Sequence, residues 1–244
     1  MNRQPRNSMI LLLFFFSVCF SYAHSQEKKG IVEVRGALSN VMRKGDLKAA
    51  ISLDTLQPLF LFGLGPLDSL RGELLTLNGI TYVARATMGG GMTVQKTQDA
   101  KAPFFVFSYV PKWKEIALPD SVTDLGRLER YLSSRTGATG APIVFRLKGS
   151  LENSMIHVVN LPRGVKIRSP QDAHNGQKKY KLRKREVEML GFFSTMHQGI
   201  FTHHDSFIHL HLLSSDKKMS GHVDEASFKK GQIKLYVPEQ LEIQ

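Results

Sequence analysis

Apolar and polar residues alternate in short runs over most of residues 30–240, and glycine, asparagine or proline separates the runs. A period of two with such punctuation predicts half-buried strands joined by turns. The clearest case is "GELLTL" followed by "ITYVARA", which flank Asn78-Gly79, the pair that most readily takes the two positive φ angles of a tight hairpin turn. On the first of these strands Glu73 shares a face with Leu75 and Leu77. "APFFVFSYV" reads as a buried strand, and "PIVFRLKGS", "SMIHVVNLP", "VEMLGFFST", "SFIHLHLLS" and "QIKLYVP" read as five more short ones. A helical period appears in "DSVTDLGRLERYLSSRTG", where Val122, Leu125, Leu128 and Leu132 form one stripe between a start at Ser121 and a stop at Gly137. "GIVEVRGALSNVMRKGDLKAAISL" opens with a strand-like run and continues into helical turns that Gly45 ends. The pattern predicts an α+β protein of mostly antiparallel or mixed sheet in two lobes, about 26–140 and 141–244. Helices are few, and the carboxy-terminal half is barrel-like.

The first 25 residues break this pattern. A basic start at Arg3 and Arg6, an apolar core from Met9 to Phe20 and small residues at Ala23 and Ser25 predict a cleaved secretory signal. The core is shorter than the roughly 20 residues of a spanning helix, so no stable membrane anchor is expected. The single cysteine, Cys19, lies inside it, and the exported chain would have neither a disulfide nor a thiol nucleophile. An exported protein, periplasmic or secreted, is the expectation.

Charge changes the picture little. The net charge of +12 is concentrated in "HNGQKKYKLRKREVE", which has no stacking aromatic beyond Tyr180 and no nucleic-acid motif beside it. A solvated surface is expected there, and no nucleic-acid partner.

The histidines change it more, since six of the nine fall between His197 and His222. His209 and His211 stand two apart on an alternating strand, so both side chains project to one face, while Ile208, Leu210 and Leu212 face the other way. After the turn "SSDKKMSG", a returning strand brings His222 to the same place. Three imidazoles with an open fourth position suit a catalytic zinc. The same spacing also fits polar residues on a half-buried strand. Glu73 likewise reads either as an edge carboxylate or as a functional one, and "THHD" puts His203 and His204 beside the strand rather than on its alternation.

Several segments together resemble the α-acetolactate decarboxylase family: Gly-Phe at 191–192, "HLH", "GHVDE", "FGLGPLDSLRGELLTLNGITY" and "FRLKG" at 145–149. The resemblance implies that His209, His211 and His222 hold zinc and that Glu73 is the carboxylate near it. It implies a homodimer acting on a small 2-hydroxy-3-keto acid, with 2-acetolactate converted to acetoin and CO2. In that chemistry zinc acts as a Lewis acid on the oxygen that gains charge, and Glu73 handles the proton. The chain departs from the family pattern at Pro66, where the family has threonine, and at Val159 or Asn160, where it has an arginine. Arg163 and His157 are the nearest candidates to bind substrate in its place. A late glutamate of the family corresponds to Glu239 or Glu242. Two other readings fit the same residues: hydrolase-type chemistry on an altered substrate, and a non-catalytic, zinc-binding role.

Overall fold

The computed structural model describes residues 30–135 and 141–241. The signal expected in residues 1–25, the helix stop at Gly137 and Glu242 lie outside them.

The first sheet is built from β1 (Glu33–Arg35), β3 (Leu61–Pro66), β4 (Glu73–Leu77), β5 (Ile80–Ala86), β6 (Met92–Thr97) and β8 (Phe105–Tyr109), in the order β1-β8-β3-β4-β5-β6. All its pairings are antiparallel. β2 (Ile51–Ser52) and β7 (Lys101–Ala102) pair beside it, and helix α1 (Leu38–Lys44) ends at Gly45 with φ 67°. The β4–β5 hairpin turns on Asn78 (φ 49°) and Gly79 (φ 79°), as the sequence predicts.

The second sheet has the order β11-β12-β13-β10-β14-β9. Its strands are β9 (Trp113–Ile116), β10 (Ile143–Val158), β11 (Lys178–Phe193), β12 (Ile208–Ser214), β13 (Ser220–Ser227) and β14 (Ile233–Pro238). Because β11 also pairs with β10, four of these strands close on themselves. The barrel-like half is therefore present. The first 140 residues contribute β9 to this sheet, and helix α2 (Leu125–Arg135) packs against it, so the sheets do not divide the chain at residue 140. A third helix, α3 (Pro170–Ala173), lies between β10 and β11 with Ser169 as its capping residue.

Two expectations need correction. "PIVFRLKGS" and "SMIHVVNLP" are halves of one 16-residue strand, β10, and the basic run forms the outer half of the equally long β11. Lys148–Asn153 has a single buried residue, Leu151, so the apolar alternation fades although the pairing with β11 continues. Backbone hydrogen bonds, which do not depend on side-chain polarity, carry the strand through. Helix α2 begins after Asp124 rather than at Ser121: the Asp124 carboxylate accepts from the Arg127 N–H at 2.8 Å, the bond of an N-cap.

One core lies between the sheets, where Phe62, Leu64, Leu75 and Leu77 meet Val144, Leu190, Phe192 and Leu213. A second joins Phe145, Leu147, Met189, Leu210 and Leu212 to Leu128 and Leu132 of α2. Each fully buried side chain of this kind contributes about 1.5–3 kcal/mol. Gly191 sits opposite both Phe145 and Leu210. A Cβ at Gly191 would lie 2.2 Å from the Phe145 ring. Gly191→Ala should therefore destabilise the protein by about 1–3 kcal/mol through overpacking, read as a lower midpoint in urea; an unchanged midpoint would contradict this packing.

Candidate metal centre and its cleft

The site forms where strands of both sheets approach. On β12, Ile208, Leu210 and Leu212 enter the core with α2, which turns His209 and His211 toward the first sheet. On β4, Leu75 and Leu77 enter the core between the sheets, and Glu73 shares their face. His222 comes beside His211 because β12 and β13 pair with His211 opposite His222. Gly221 permits this, since a Cβ there would lie 2.5 Å from the His157 carbonyl oxygen.

His209, His211 and His222 are all buried, and their ligand atoms lie within 4.8 Å of one another. Nδ1 of His209 donates to the Phe201 carbonyl at 2.7 Å, and Nδ1 of His211 donates to the Leu74 carbonyl at 2.9 Å. A carbonyl only accepts, so Nδ1 holds the proton in each ring and Nε2 presents a lone pair. Nε2 of His211 is buried without a hydrogen-bond partner. An orphaned nitrogen of this kind is costly unless something coordinates it, so the three imidazoles fit a metal ion.

Burial lowers the pKa of all three histidines, aided by their histidine neighbours, and takes His211 down to about 3. Glu73 is 4% exposed. Its Oε1 accepts from the Val159 N–H at 3.1 Å, and its Oε2 lies 3.7 Å from His211 Nε2. Burial raises its carboxyl well above the ordinary range; the Val159 bond opposes the rise and the Asp224 charge adds to it.

A cleft of about 460 Å3 reaches this centre at His222, with His157, His203, Lys179 and Asp224 in its wall. His157 stands opposite His222 in the β10–β13 pairing, its ring 4.6 Å from that of His222, and its Nδ1 is 2.6 Å from Asp224 Oδ1. Burial alone would raise the Asp224 carboxyl, but His157 and Lys179 hold it below its usual value. His203 is half-buried with its ring 4.9 Å from that of His222, and burial takes its pKa to about 4. His204 is exposed.

Arg163 and Glu239 lie away from the cleft. Arg163 is exposed in the turn after Leu161 and does not line the cleft. Pro66 is buried opposite Glu73. Glu239 is exposed and pairs with Lys112 at 3.7 Å. Arg146 of "FRLKG" pairs with Glu188 and lies over the rings of Phe62 and Trp113. The sequence reading missed Asp224 and Lys179 in the cleft, and the carbonyls that orient His209 and His211. "GHVDE" contains the Asp224 signal two residues after His222; the carbonyls have none.

A family profile described as "Alpha-acetolactate decarboxylase" matches residues 36–244. The chain belongs to the α-acetolactate decarboxylase family. Among curated members, the α-acetolactate decarboxylase of Streptococcus thermophilus is 27% identical over 183 residues, covering 74% of this chain and 73% of its own length. That of Lactococcus lactis subsp. lactis is 25% identical over 219 residues, covering 87% and 80%. The crystal structure of acetolactate decarboxylase from Bacillus subtilis subspecies spizizenii has the same fold, with a TM-score of 0.70, 17% identity, and coverage of 87% and 88%. By its family the protein is an acetolactate decarboxylase-like carboxy-lyase.

Two measurements test the centre. His211→Ala should abolish stoichiometric metal binding measured by elemental analysis; a full complement of metal in that variant would reject the site. The metal-free protein should also lose stability as pH falls. A depressed folded pKa favours the folded state above the unfolded histidine value of about 6.5, and this contribution disappears as pH drops toward the folded value, about 3 for His211. His211→Gln should remove one such group. Its melting temperature should then fall less between pH 7 and pH 5 than that of the metal-free parent, one proton being worth at most about 1.4 kcal/mol per pH unit.

Proposed function

We propose that the protein is a zinc-dependent decarboxylase that converts 2-acetolactate to acetoin and CO2. The observation that carries this reading is the buried Glu73 carboxyl beside the unpaired Nε2 of His211, in a chain of this family. His209, His211 and His222 would hold the ion through imidazole nitrogens, and the absence of thiols from the set suits zinc with an open position. When bound, zinc supplies Lewis-acid stabilisation of the substrate oxygen on which negative charge develops.

The chain's own residues do the rest. Loss of CO2 leaves the electron pair of the broken carbon–carbon bond delocalised onto the neighbouring ketone as an enediolate. One proton must then reach carbon to give acetoin. The Val159 N–H fixes Glu73 Oε1, so Oε2 faces the histidines. Burial favours the acid form of Glu73, which suits a group that donates this proton and afterwards regains one from solvent. A hydrolase would instead need the same group as a base toward water. His157 and Asp224 hold each other at the cleft wall and keep the His222 side of the site in place.

In the same reading the amino-terminal segment directs export to the periplasm or beyond, and the enzyme works as a homodimer on the strength of its family likeness. Zinc-loaded protein should release acetoin and CO2 from racemic acetolactate, lose this activity to a chelator and regain it with zinc. Zinc-replete protein that makes no acetoin would sink the proposal. Glu73→Gln should retain zinc and lose at least about a hundredfold in turnover, whereas normal turnover would remove its role.

A further inference from the structure

We propose that Lys179 is the residue that binds the substrate's carboxylate, an inference that rests on the decarboxylase reading above. A 2-hydroxy-3-keto acid carries a full negative charge into a cleft whose ring-lined wall desolvates it, and such a charge needs a cationic partner. Among the described residues lining that cleft, Lys179 is the sole lysine or arginine. The acids around it are Glu129, Asp205 and Asp224.

Strand register puts the ammonium where it is needed. Lys179 on β11 stands opposite His157 on β10, and His157 stands opposite His222 on β13. Directly opposed residues project to the same face, so the three side chains form one row across three strands, with about 4.8 Å between neighbours. Lys179 is thus two strand spacings from a metal ligand, within reach of a small acid held beside His222.

Two other polar groups of the wall are already committed. The Glu129 carboxylate accepts from Ser206 Oγ and the Phe207 N–H. His157 Nδ1 is engaged by Asp224 Oδ1, so His157 is tied to an acid. Lys179 Nζ forms an ion pair with Asp224 Oδ2 at 3.6 Å, longer than a good hydrogen bond, and its side chain is 57% exposed, so the ammonium can turn toward an incoming anion without leaving Asp224. Asp224 would then steady the ammonium on one side while the substrate carboxylate approaches on the other. Farther along the same face of β11, exposed Lys181 and Arg183 extend the positive row away from the cleft, an arrangement that draws anions inward.

The test compares an anion with a neutral analogue on zinc-loaded protein by isothermal titration calorimetry, using 2-hydroxy-2-methylpropanoate and 2,3-butanediol. Lys179→Met should weaken binding of the hydroxy acid about ten- to a hundredfold and leave the diol within about twofold, and Lys179→Arg should restore most of the loss. In turnover, Lys179→Met should raise KM for acetolactate by a similar factor with kcat within about threefold. A merely structural lysine would affect both ligands alike. Equal loss for the two ligands, or Lys179→Met binding the acid as the parent does, would overturn the assignment, as would a parent that binds the acid no better than the diol. A parent that makes no acetoin yet binds the acid through Lys179 would overturn the decarboxylase reading and keep this one. A parent that makes acetoin with KM unchanged in Lys179→Met would do the reverse.

Discussion

The site depends on one hydrogen bond between the two sheets, from His211 Nδ1 to the carbonyl of Leu74. It fixes the tautomer of an imidazole that sits wholly inside the protein, and it holds β12 against β4 at the point where Glu73 leaves the same strand. An unpaired carbonyl or imidazole at that depth would be costly, so the bond also compensates for burying polar groups where the sheets meet. The leucines on either side supply the driving force for bringing the sheets together.

The electrostatics follow from that burial. Three imidazoles packed within 4.8 Å and a carboxyl at 4% exposure are all driven toward their neutral forms. Neutral imidazoles are the form a metal needs, and a neutral carboxyl is the form a proton donor needs. The same desolvation that would be a liability in a core leaves both groups in the forms that the proposed chemistry uses. Charge is kept at the cleft wall, where Asp224 and Lys179 lie nearer to water.

The closed arrangement of β10, β11, β12 and β13 makes the centre rigid on the ligand side. His209 and His211 share a strand, and His222 reaches them through direct pairing rather than through a loop. Sites held by regular strands keep their geometry better than sites carried on loops. Gly221 is part of this, because the β13 backbone must pass close to the His157 carbonyl for the pairing to form.

Local pattern was enough for several features. Asn78-Gly79 determined a hairpin through the φ angles it tolerates, and the alternation of Ile208, Leu210 and Leu212 determined which way His209 and His211 point. Gly45 ended α1, and Leu75 with Leu77 aligned Glu73 with the inter-sheet face. These are short-range properties that a few residues encode. The length of β10 and β11 was not legible, since their polar middles are held by paired backbone groups on another strand. The roles of the Leu74 and Phe201 carbonyls were hidden for the same reason: every residue has a carbonyl, and only packing decides which one meets an imidazole. Lys179 stood in the sequence as one cation of a basic run. Pairing across β11, β10 and β13 set it apart, because register between distant segments is a property of the assembled sheet and not of any segment within it.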